Sequence, residues 1–70
     1  MNRQSVSSSN LSSVGYDSST STLEVEFNSG SVYQYSNVPA SVHSALMSAS
    51  SHGQYFNANI KNSYSYRQVR

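Results

Sequence analysis

Four of the six tyrosines fall in two closely spaced pairs, Tyr33-Gln34-Tyr35 and Tyr64-Ser65-Tyr66-Arg67. Residues two apart on a strand share a face, so each pair would set two rings side by side. Rings standing on a sheet stack unpaired bases at ~1–3 kcal/mol per base, while neighbouring cations neutralise phosphates. The candidate RNA contacts are therefore Tyr33, Tyr35, Tyr64 and Tyr66 for stacking, with Lys61, Arg67 and Arg70 for the backbone. The same rings have a structural use. Tyr33 and Tyr35 can pack beneath helices and leave only their hydroxyls at the rim. In a third reading, an aromatic face or open sheet edge pairs with a protein partner or a second copy of the chain.

Other chemistry finds little footing. His43 and His52 lie nine residues apart, which is not the spacing of a helical zinc pair or of a finger. Both read as surface or helix-capping residues, and no metal is expected. A Ser-His-Asp set can be assembled on paper, but nineteen serines make that uninformative, and no Gly-X-Ser-X-Gly elbow is present. Glu24 and Glu26 share one strand face and read as solubilising. Three scattered glycines form neither phosphate-binding fingerprint, and the absence of cysteine removes disulfides and thiolate metal sites. The chain is expected to be no enzyme and to carry no cofactor.

Several elements must position these rings. Thr22-Leu23-Glu24-Val25-Glu26-Phe27-Asn28 alternates apolar and acidic residues at period two, the pattern of a strand with one dry face. Asn28-Ser29-Gly30-Ser31 follows as a hairpin turn, with Gly30 free to take positive φ. Val32 to Ser36 is the return strand. Leu11 to Tyr16 reads as a further strand, closed by a loop at Asp17 to Ser21, and an edge strand is expected around Val6. Pro39 suits the first turn of a helix, whose apolar stripe runs through Val38, Val42, Ala45 or Leu46, and Ala49. Gly53 is expected to end it in the left-handed conformation. A shorter helix from Gln54 to about Asn59 would put Phe56 and Ile60 on one face, and Tyr64 to Val69 offers a last strand or an extended tail.

The order β-β-β-α-α, with that last strand in reserve, predicts an α+β fold: a small antiparallel sheet covered on one face by one long and one short helix. Seventy residues make one domain, with residues 1–4 and 67–70 expected as flexible ends. The aliphatic core is too small to order so short a chain alone, so the tyrosines must supply part of the packing. A net charge of +1 is too weak to announce a polyanionic partner by itself. All three acids lie in the first half and three of the four basic residues in the last ten positions, which predicts a mildly basic C-terminal edge. No apolar stretch suits a signal peptide or a membrane span, so a soluble, cytoplasmic chain is expected.

An ordered series of residues carries a family resemblance. It comprises Ser8-Ser9-Asn10-Leu11, Val14-Gly15-Tyr16-Asp17, Leu23-Glu24-Val25-Glu26-Phe27, Gly30 and Val32-Tyr33-Gln34-Tyr35. Val38-Pro39, Gly53-Gln54-Tyr55-Phe56-Asn57, Ile60 and Tyr64 complete it. Together they resemble the KTSC domain, named for the C-terminal domain of some lysyl-tRNA synthetases and also found as a free-standing small bacterial protein. Tyr33-X-Tyr35 matches the family's central motif, while Ser65 stands where a proline looks commoner. The resemblance implies no catalytic residue. It suggests RNA, tRNA or a single strand, as the partner through attachment to a synthetase, an argument from neighbourhood that does not fix activity.

Overall fold

In the computed structural model, which describes residues 1–70, the chain runs β1 (Arg3–Ser5), β2 (Leu11–Asp17), β3 (Thr22–Phe27), β4 (Val32–Tyr35), α1 (Ala40–Ser48), α2 (His52–Asn59) and β5 (Tyr66–Gln68). The strands form one sheet in the order β1-β2-β3-β4-β5, each antiparallel to its neighbours. The α+β expectation holds; the edge strand expected around Val6 falls just before it at Arg3–Ser5, and Tyr64 to Val69 supplies a strand, β5, at Tyr66–Gln68.

Register decides which face each side chain takes. Val14 pairs with Val25, Val25 with Tyr33, and Leu23 with Tyr35, so these residues share one face. Val38, Leu46, Phe56 and Ile60 from the helical segment close over it in a single buried cluster with Leu11, Val14, Leu23, Val25 and Tyr35. Tyr16, Tyr33, Tyr55, Tyr64 and Phe27 pack around this cluster. Phenol rings thus supplement the aliphatic core, as the small apolar inventory requires. Val32 is also buried, but it pairs with Glu26 and so belongs to the opposite face. That parity frees Tyr33 and Tyr35 to face the helices.

The opposite face is a polar lattice. Arg3 Nη1 donates to Glu24 Oε2 at 3.1 Å, Gln34 Nε2 donates to Glu24 Oε1 at 2.9 Å, and Arg67 Nη2 donates to Gln34 Oε1 at 3.3 Å. Ser13 Oγ and Arg70 Nη2 both donate to Glu26, at 2.9 and 2.8 Å. Arg3 crosses β2 at Gly15. There a Cβ would lie 2.8 Å from the Asn2 carbonyl oxygen and 2.9 Å from Arg3 Cγ.

Three details differ from the sequence-based expectation. Pro39 is the cap rather than the first helical residue of α1, with φ −65° and ψ 151°. The helices are nearly equal, nine and eight residues, because α1 stops at Ser48: Ala49 turns extended, and Ser51 then caps α2 by accepting from the Gln54 N–H. Gly53 is therefore no left-handed terminator. It is the second residue of α2, buried where a Cβ would run into Asn10 Oδ1. The glycine with positive φ is Gly30, at 97°, in the β3–β4 turn.

Candidate functional site

Where β3 turns into β4 and α2 gives way to β5, the helix-side surface opens into a groove of about 560 Å³. Its floor is aromatic: Phe27, Tyr33, Tyr35, Phe56 and Tyr66. Phe56 meets Phe27 and Tyr35 edge-on at centroid distances of 5.5 and 5.4 Å, and Tyr33 meets Phe27 the same way at 5.5 Å. Tyr66 tilts against both Tyr33 and Tyr35, at 5.7 and 5.5 Å. The rim is amide-rich, with Asn10 and Asn28 on one side and Asn57, Lys61 and Asn62 on the other.

The rim is tied down locally. Asn28 Nδ2 donates to the Ser9 carbonyl at 2.9 Å, Ser12 Oγ donates to Asn28 Oδ1 at 2.6 Å, and the Asn28 N–H donates to the Asn10 carbonyl at 2.9 Å. Ser8 Oγ donates to Asn10 Oδ1 at 3.1 Å. These bonds hold the hairpin turn against the β1–β2 loop. Lys61 is exposed and forms no ion pair; the two salt bridges are Arg3–Glu24 and Arg70–Glu26. None of the three carboxylates lines the groove. Its charge is positive.

The candidate contact residues separate by face. Tyr33, Tyr35, Tyr66 and Lys61 come together in the groove. Tyr64 is half-buried against the core outside it. Arg67 points to the polar face, because it pairs with Gln34 while Tyr66 pairs with Tyr35. Arg70 is held on that same face by Glu26. Exposure differs among the rings: Tyr66 is 59% exposed, Tyr33 half-buried and Tyr35 3% exposed. Burial foremost, then the phenols of Tyr66 and Tyr33, push the Tyr35 hydroxyl up to about 12. Tyr35 is thus a neutral packing ring with its edge at the groove.

Sequence reasoning passed over Phe27, Phe56 and the four asparagines of the rim. The available signal was the surplus of asparagine. Four of the seven line the groove.

The histidines take structural positions. His52 Nδ1 lies 2.8 Å from the Leu46 carbonyl oxygen and so caps the end of α1. His43 stacks on Tyr16 with centroids 4.8 Å apart and planes 9° from parallel, and burial holds its imidazole below the usual range. No three His, Cys, Asp or Glu side chains gather as a metal site. No helix is long and apolar enough to cross a membrane.

Fold and site together define a small α+β module with one dry face, one self-paired polar face and an aromatic groove at the sheet's edge. The chain belongs to the KTSC domain family, whose profile matches residues 7–64. A crystal structure of a KTSC domain protein from Yersinia pestis superposes with a TM-score of 0.96 and 40% identity, covering 99% of this chain and 97% of that one. An uncharacterised protein of Stutzerimonas stutzeri is 48% identical over 61 residues, covering 87% of this chain and 86% of its own length. A lysine–tRNA ligase of Trichormus variabilis is 50% identical over 54 residues, which are 77% of this chain and 10% of the ligase. The chain thus spans about a tenth of the length of the lysine–tRNA ligases it matches.

Proposed function

We propose that the chain is a non-enzymatic module that binds unpaired RNA in the aromatic groove. The observation that carries this reading is an aromatic floor with an amide rim, an unpaired lysine and no carboxylate. Tyr66, and Tyr33 beside it, would offer ring surface to a base. Lys61 would meet the phosphate. The rim amides of Asn57 and Asn62 suit the hydrogen-bonding edges of a base. Kinship with a segment of proteins named lysine–tRNA ligases supports the same reading.

A nitrogen-15-labelled sample titrated at low salt with tRNA and short single strands tests it. Shifts confined to the backbone amides of Tyr33, Asn57, Lys61, Asn62 and Tyr66 are expected; unchanged spectra remove the proposal. The second reading is self-association along β5, whose exposed Tyr66 and neighbouring Val69 flank an unpaired edge. Against it, Arg67 on that short strand and Arg70 just beyond it place charge at the edge, which discourages edge pairing.

A further inference from the structure

We propose that the groove is a site for a single nucleotide, one stacked base with its own phosphate, rather than a track for a strand; this rests on the base-stacking reading above. Three features limit its capacity. The first is ring surface. Phe27 and Tyr66 flank Tyr33, Tyr35 is 3% exposed, and only Tyr66, at 59%, offers a largely free ring. One free ring takes one base.

The second is charge. Lys61 is the lone cation of the groove, since Arg67 and Arg70 engage Gln34 and Glu26 on the other face of the sheet. One ammonium beside a base neutralises one phosphate. The absence of a carboxylate from the lining makes the site complementary to an anionic planar ligand.

The third is size. About 560 Å³ falls within the range of roughly 300–1,000 Å³ that holds one small ligand. Strand-tracking grooves instead accommodate about 4–16 nucleotides per domain. The ligand chemistry is a nucleoside monophosphate unit, supplied free in solution or as an unpaired residue of RNA.

Chemical-shift titrations of the full chain with a nucleoside, its 5′-monophosphate, inorganic phosphate, a dinucleotide, an octanucleotide and tRNA separate the outcomes. The monophosphate is expected to move the groove amides and to bind several-fold more tightly than the nucleoside. The octanucleotide is expected to bind no more than several-fold more tightly than the dinucleotide. Lys61→Gln should abolish the preference for monophosphate over nucleoside. Tyr66→Ala should weaken both, and Tyr66→Phe should restore them; an unchanged spectrum outside the groove serves as the check on folding.

If oligonucleotides move the groove amides and monophosphates do not, the single-nucleotide site falls and the RNA reading stands. If monophosphates bind while oligonucleotides and tRNA do not, the RNA reading falls and the site stands as one for free nucleotides. Inorganic phosphate acting as strongly as the monophosphate overturns the site, because the base then plays no part. Silence from every ligand overturns both.

Discussion

Salt dependence distinguishes one phosphate contact from three. Each phosphate neutralised on a single strand lowers log K by about 0.7 per unit of log salt. If Lys61 acts alone in the groove, the slope is about −0.7, and a tenfold rise in salt weakens binding about fivefold. If Arg67 and Arg70 also reached the strand, the slope would be about −2, and the same rise would cost roughly a hundredfold. The smaller value is expected, because Arg67 pairs with Gln34 across β4–β5 and Arg70 bonds Glu26 on the face away from the groove. The assay is a chemical-shift titration with an octanucleotide at about 20, 60 and 200 mM salt, a range that spans the predicted change. Lys61→Gln should flatten the slope to near zero, and the double variant Arg67→Gln/Arg70→Gln should leave it near −0.7. A wild-type slope near −2, or a fall on removing the arginines, would show a strand wrapping over β5 and refute the division of charge by face.

Four further outcomes follow from the packing. Phe56, 2% exposed and edge-on to Phe27 and Tyr35, should cost about 3–5 kcal/mol as Phe56→Ala. Against roughly 4–10 kcal/mol for a domain of this length, urea melts should show a large fall in midpoint or outright unfolding, and a loss below about 1 kcal/mol contradicts its place in the core. Tyr35 keeps its proton to about 12 when folded but releases it near its ordinary 10.0 when unfolded. Stability should therefore fall as pH rises between those values, and Tyr35→Phe should abolish the fall in alkaline urea melts. His43 takes up its proton below the ordinary 6.5 when folded, so stability should drop as pH descends from there through the folded-state value. His43→Gln should flatten that dependence between neutral and mildly acidic melts. Gly15→Val should push Arg3 off Glu24, cost ~1–3 kcal/mol by overpacking, and speed hydrogen exchange at the Val6 amide while sparing that of Val25.

The fold was legible wherever periodicity was strong. Leu23, Val25 and Phe27 announced β3, and Gly30 its turn. The Val38–Leu46 stripe announced α1, although its end lay hidden. Ser48 to Ser51 offered no residue that had to stop a helix, and the extended backbone of Ala49 with the cap at Ser51 is a local competition that pattern alone does not resolve. Gly53 misled because glycine serves close approach as readily as left-handed turns; Asn10, distant in sequence, supplies the close neighbour here. Of the two tyrosine pairs, Tyr33, Tyr35 and Tyr66 meet in the groove, while Tyr64 packs against the core outside it. Their partners on the floor, Phe27 and Phe56, come from two other elements, β3 and α2, and the division of Lys61 from Arg67 and Arg70 depends on a register between β4 and β5 that neither strand encodes by itself.

Phe56 and Tyr35 belong at once to the buried cluster and to the floor of the groove. A chain of this length has no second layer of side chains behind the floor of the groove. Altering the floor to suit a different guest therefore weakens the domain that presents it. The freedom to diversify lies with the asparagine and serine positions around the mouth, where a substitution leaves the interior intact.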